Sequence, residues 1–130
     1  MTAGMALLLW SLALFQAKHF LCDFVLQTAY LYRNKGIYGH PAGFIHAGLH
    51  ALGSLPAILV LTRAPGLAAG LVATEFVVHY HVDWLKIYVD HRFRLTVQRR
   101  AYWVVFGVDQ LIHQLTYTAF LAILVQKAAF

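Results

Sequence analysis

The chain is 130 residues long, 61% hydrophobic and only 12% charged, with a net charge of +5. That composition excludes an ordinary soluble domain and is the composition of a membrane protein. A lone cysteine, Cys22, permits no intramolecular disulfide and says nothing about redox compartment.

Apolar runs that reach or exceed the about 20 residues a bilayer span needs can be traced at roughly 4–31, 42–62, 67–89 and 101–126. They are continuous and lack period-two alternation, so they predict helices rather than barrel strands. The first run lacks a basic leader and carries His19 and Asp23 on one face, so it reads as a retained span and not as a signal peptide. Gly36, Gly39 and Pro41 mark the first connection. The second run carries His46 and His50, and Pro56 predicts a kink within it. Pro65 and Gly66 mark the next connection; Gly66 and Gly70 form a GxxxG spacing that predicts close helix packing. The third run carries His79 and Asp83, the basic stretch Asp90 to Arg100 follows, and the fourth run carries Asp109 and His113.

Each run therefore holds one pair of ionisable residues four apart, on one helical face. Counted at about 1.5 Å per residue from the end bearing the first and third connections, the pairs lie roughly 12–18, 6–12, 9–15 and 12–18 Å deep. Four helices of alternating direction bring them to overlapping levels. Ionisable groups at membrane depth cost roughly 2.5–3.5 kcal/mol each, so a cluster of them demands a compensating partner. The expected architecture is an all-α integral membrane four-helix bundle with a polar His/Asp cluster in its cytoplasmic half.

Orientation follows from Arg33 and Lys35 in the first connection and Arg92, Arg94, Arg99 and Arg100 in the third, against Arg63 alone in the second. The positive-inside bias places the first and third connections in the cytoplasm and both termini outside it. Tyr30, Tyr32, Tyr38, Tyr88, Tyr102 and Trp103 form the matching interfacial belt. The basic residues are expected to meet anionic lipid headgroups, and no nucleic-acid partner is expected.

Five histidines and three aspartates, His19, Asp23, His46, His50, His79, Asp83, Asp109 and His113, are the expected metal ligands, enough for one or two divalent ions. Nitrogen and oxygen donors without thiolate suit zinc, iron, manganese or nickel, and zinc or iron is expected. Gln27, Gln110 and Glu75 are spaced to orient the ligands by hydrogen bonds. Lys86, three residues after Asp83, is expected to pair with that carboxylate or to contact a substrate anion. His40 and His91 are placed in loops, and His81 on a different face from His79. Any single pair is consistent with a buried hydrogen-bond network, and the whole set with a haem site or a proton path; the depth coincidence of four pairs favours metal.

The string from His19 through Asp23 and Gln27, followed by Asn34-Lys35, resembles the opening of a bacterial integral membrane family, domain of unknown function 3307. His46-x-x-x-His50, His79-x-x-x-Asp83-x-x-Lys86 and Asp109-Gln110-x-x-His113 resemble that family's later blocks in the same order. The resemblance implies the fold, a bacterial cytoplasmic-membrane location and the polar constellation, without naming a reaction.

The expected activity is metal-dependent hydrolysis of a lipid or lipid-linked substrate, with Glu75 as base and Lys86 or Lys35 holding an anionic headgroup. Two alternatives stand beside it: a noncatalytic subunit of a larger membrane complex with a structural metal, and a di-iron membrane oxidoreductase, which the absence of His-His doublets disfavours.

Overall fold

A computed structural model describes residues 2–127, and the described residues contain helices and no strand. Helix α1 spans Ala3–Phe20; the Thr2 hydroxyl opens it by accepting from the Met5 amide at 3.3 Å. It continues through one π-helical turn, Leu21–Val25, in which the Leu26 amide donates to the Leu21 carbonyl five residues back at 2.8 Å. The first apolar run, expected to be helical to residue 31, breaks there. Thr28 starts a separate short helix, α2, at Ala29–Asn34, its hydroxyl accepting from the Leu31 amide.

Pro41 sits in the first turn of α3, Pro41–Gly53, where its missing N–H costs nothing, and the His40 ring accepts from the Ala42 amide at 3.1 Å. His40 is thus a helix cap. The kink expected at Pro56 is a break centred on Ser54, beyond which α4 runs over Leu55–Leu61. Proline removes a donor and crowds the carbonyl four residues before it, so the interruption falls on its N-terminal side.

Helix α5, Pro65–Phe93, outruns the expected third span, and His91 lies in its last turn rather than in a loop. Arg94 closes it in the left-handed region, φ 52°, with the Arg94 and Leu95 amides donating to the His91 and Asp90 carbonyls. Helix α6 covers Arg100–Lys127.

Helix α3 packs against α5, α1 against α4, α5 against α6, and α1 against α6. At one end the interior is apolar: Phe15, Ile58, Leu71, Tyr117, Phe120 and Leu124 close it, with Phe15 stacked on Tyr117 at 5.1 Å. Beyond Tyr117 the interior turns polar. The buried ionisable residues are Lys18, His19, His46, His50, Glu75, His79, Asp83, Asp90, Asp109 and His113, whereas Trp10 is 67% exposed, Phe24 63% and Leu52 62%. This is the reverse of the arrangement water imposes.

Two glycines let the connection after α2 and the start of α3 lie against α5. A Cβ at Gly36 would come within 2.4 Å of Ile87 Cγ2, and one at Gly43 within 2.8 Å of Tyr80 Cε2. Among the described residues nothing lies within 4 Å of a Cβ position at Gly66 or Gly70, so their spacing does not mark close packing against them.

Three helical lengths are long and apolar enough to cross a membrane: Ala3–Val25, Pro41–Leu61 and Arg100–Lys127. Helix α5 has the length but carries Glu75, Asp83, Lys86 and Asp90, and all of these except Lys86 are buried against the other helices.

Candidate metal centre

Helical spacing sets each pair, and helix packing sets the pairs against one another. The π turn begins just after His19 and carries Asp23 at its centre, with His19 Nε2 and Asp23 Oδ2 3.2 Å apart. From α3, His46 Nε2 and His50 Nε2 reach Asp23 Oδ1 at 3.2 and 3.1 Å. From α5, Asp83 faces two ways: Oδ2 lies 3.1 Å from His46 Nε2, and Oδ1 lies 3.2 Å from His113 Nε2 on α6 and 3.7 Å from His79 Nε2. The His79 ring is sandwiched between His50 and His113, with centroids 3.7 and 4.1 Å away.

Two overlapping groups result, Asp23 with His46, His50 and His79, and His79 with Asp83 and His113, each with donor atoms within 4.8 Å of one another. Donors at about 2.1 Å from a common ion lie about 3.0 Å apart in an octahedron and about 3.4 Å in a tetrahedron. The carboxylate–imidazole separations here fall at or close to those edges. Hydrogen bonding alone does not account for the cluster. His46 Nε2 meets two carboxylate oxygens and, at 3.1 Å, the Lys35 ammonium, so it cannot both donate to the first and accept from the second. Among the described residues, both nitrogens of buried His79 have no hydrogen-bond partner, and neither does Asp109 Oδ1 or the Nδ1 of His46 and His50. Buried imidazole nitrogens left unpaired are costly, and a cation accepting a lone pair removes that cost at one nitrogen of each ring. The donor set fits a divalent ion.

Asp23, His46, His50, His79, Asp83 and His113 are therefore brought together. His19 stands beside them with both nitrogens engaged, Nδ1 with the Tyr117 hydroxyl at 3.0 Å and Nε2 with Gln110 Oε1 at 2.9 Å. Asp109 lies at the edge, Oδ1 3.4 Å from His113 Nε2, with Oδ2 accepting from the Gln110 amide at 3.0 Å. Gln27, past the end of the π turn, donates to the Asp23 backbone carbonyl at 3.0 Å.

Glu75 and Lys86 are not among the clustered donors. The Glu75 carboxylate is held by Lys18 and the Ser54 hydroxyl, and Lys18 also donates to the His50 carbonyl at 3.1 Å. Lys86 pairs with Asp90 at 2.7 Å and lies over the Tyr102 ring at 4.5 Å, so the salt bridge expected between Asp83 and Lys86 is replaced by Asp83 with Lys35. Asp90, four residues after Lys86, takes its ammonium, whereas Lys35 reaches Asp83 from the loop that Gly36 allows to approach.

Sequence reasoning also missed Lys18 and Tyr117. Lys18 and Lys86 are the only lysines or arginines inside the four apolar runs, and of these Lys18 can match the depth of Glu75. Tyr117 is four residues after His113 and continues its face.

A cavity of about 440 Å³ opens onto the cluster at the end formed by α2, its connection to α3, and the α5–α6 turn; Asp23, Asp83 and Asp109 line it together with Arg33, Lys35 and Lys86. Residues 11–129 match the family described as Protein of unknown function (DUF3307). The chain belongs to that family. No curated protein and no solved structure matches it. In this DUF3307 protein the matched region contains every residue of the cluster and its cavity.

Proposed function

We propose that this protein is a metal-binding four-helix bundle of the bacterial cytoplasmic membrane that hydrolyses a lipid or lipid-linked substrate with one or two divalent ions, zinc or iron. The observation that carries the reading is the convergence of Asp23, His46, His50, His79, Asp83 and His113, with His79 hydrogen-bonded to none of the described residues. Membrane insertion is supported by three apolar helices of spanning length and by large apolar side chains outside with ionisable ones inside. The basic α2–α3 and α5–α6 connections support a cytoplasmic placement of the cavity, with both termini on the other side.

Bound there, the metal would supply Lewis acidity and an activated water. His46, His50, His79 and His113 are the imidazoles to hold it, with Asp23 and Asp83 as the carboxylates. The two oxygens of Asp83 face different imidazoles, so this carboxylate would help to hold metal beside His46 and beside His113. His19 orients Asp23, and Tyr117 fixes His19. Lys35 offsets the charge of Asp83, and Arg33 and Lys86 on the cavity wall offer cations to an anionic group. Glu75, the carboxylate in reserve, is committed to Lys18 and Ser54, so the proton-accepting role falls to Asp109, which lines the cavity and whose Oδ1 accepts no hydrogen bond from the described residues.

A second reading, a structural metal within a larger membrane complex, is favoured by one observation: the four clustered imidazoles are all at most 2% exposed. A di-iron oxidoreductase would use the same nitrogen and oxygen donors. Metal analysis of protein purified in mild detergent, beside an Asp23→Ala, His50→Ala double variant, tests the proposal. Stoichiometric metal in the parent and its loss in the variant are expected; no metal in either returns the cluster to a hydrogen-bond network. An iron charge-transfer band would move the reading to redox chemistry.

A further inference from the structure

A cation of the protein's own already stands among the clustered donors. The Lys35 ammonium lies 2.7 Å from Asp83 Oδ2 and 3.1 Å from His46 Nε2, and those two atoms are themselves 3.1 Å apart. His46 belongs to one of the overlapping donor groups and Asp83 to the other, so the ammonium touches both. Lys86 lines the same cavity but pairs with Asp90, and Arg33 forms no ion pair among the described residues.

We propose that Lys35 is a resident cation, its ammonium holding the position between His46 and Asp83 in the metal-free protein and withdrawing into the cavity when a divalent ion binds. The inference rests on the metal-binding reading above and adds the residue that competes with the ion. An ammonium has donors only, so its contact with His46 Nε2 is a hydrogen bond only when that nitrogen presents its lone pair. A metal ion needs the same lone pair, because a neutral imidazole carries one on a single ring nitrogen. The two cations therefore exclude each other at His46. Charge acts in the same direction. Asp23 and Asp83 bring two negative charges to the clustered donors, and imidazoles ligate in their neutral form. A dication matches both carboxylates and leaves the ammonium in excess beside it, where like charges repel. Space for the withdrawal is at hand. Lys35 ends α2 and lines the cavity of about 440 Å³, and its four-carbon stem turns about rotatable bonds, so the ammonium moves without the helix.

The test uses the full chain in mild detergent, stripped of metal by a chelator and titrated with zinc. Competition against a chromophoric chelator should show Lys35→Met binding zinc about tenfold more tightly than the parent, whose site is competent only when the ammonium is away. Lys35→Gln, used where the methionine variant folds poorly, should shift the affinity in the same direction. Arg33→Gln removes a positive charge from the same cavity without vacating a donor, and should change the affinity by less than about twofold. The parent supplies a second readout. The Lys35 side chain is 13% exposed while it is paired, so its acetylation by an N-hydroxysuccinimide ester, read by peptide mass spectrometry against exposed Lys127, should accelerate when zinc is added. Unchanged or weaker zinc affinity in the Lys35 variants, or zinc that slows acetylation of Lys35, would overturn the displacement and leave the metal reading standing. Tightening by Arg33→Gln equal to that by Lys35→Met would trace the effect to net charge and overturn it too. Zinc bound by neither parent nor variants would end both readings together.

Discussion

The Lys35 ammonium lies 2.7 Å from Asp83 Oδ2, joining a residue just after α2 to the middle of α5 across 48 positions of sequence. Both side chains are largely buried, and the same Asp83 faces His46 and His113 through its two oxygens. Lys35 thus holds in place a carboxylate that the cluster shares.

Removing one partner of such a pair leaves a buried charge. Lys35→Met should destabilise the metal-free protein by about 3 kcal/mol, and a Lys35→Met, Asp83→Asn double variant by less than the sum of the two single changes. Unfolding in detergent by graded sodium dodecyl sulfate measures all four corners of the cycle.

The Lys18–Glu75 pair makes the opposite prediction for metal. Lys18→Met should cost about 3–5 kcal/mol, while Lys18→Met with Glu75→Leu should recover much of it. Metal stoichiometry should be unchanged in the double variant, because neither residue is among the clustered donors. Loss of metal there would bring Glu75 into the site.

His79→Ala should reduce metal affinity more than His19→Ala. His79 belongs to both donor groups, whereas the nitrogens of His19 are already bonded to Tyr117 and Gln110. Competition with a chromophoric chelator is expected to show a loss of about 10–100-fold for His19→Ala, the range typical of residues that orient a ligand, and a larger one for His79→Ala.

Metal affinity should fall as pH falls. An imidazole must shed its proton to present a lone pair, so binding releases protons and acid opposes it. Zinc competition at pH 8 and pH 6 checks the sign; an unchanged affinity would argue against ligation by four histidines.

Gly36→Ala places a methyl group 2.4 Å from Ile87 Cγ2. A loss of about 1–3 kcal/mol is expected, with recovery in Gly36→Ala, Ile87→Ala, as overpacking at one contact predicts.

The helices and the convergence of the ionisable pairs were legible in the sequence because both depend on period and count. Helix rise and alternation of direction brought His46, His50, His79, Asp83 and His113 to one level before any contact was known. What was not legible depends on how segments meet. Lys35 reaches Asp83 only because a connection folds back over α5, and nothing in a loop's spacing reports that. Lys86 was misassigned for the converse reason: it is close to Asp83 in sequence but points toward Asp90 and Tyr102. The break at Leu26 was hidden because the apolar run continues past it and composition records solubility rather than backbone geometry, whereas Pro56 signalled the break at Ser54.

An α-helix that gains a single residue accommodates it as a π turn, and Leu21–Val25 has that form. Excising one residue there would let the backbone close as ordinary α-helix with the phase beyond the turn kept, so the residue displaced is Asp23 at the centre of the turn, away from His46 and His50. Between His19 and Lys35 the chain is constrained in its length as strictly as in its side chains, and a one-residue deletion in this turn should be more damaging than most substitutions.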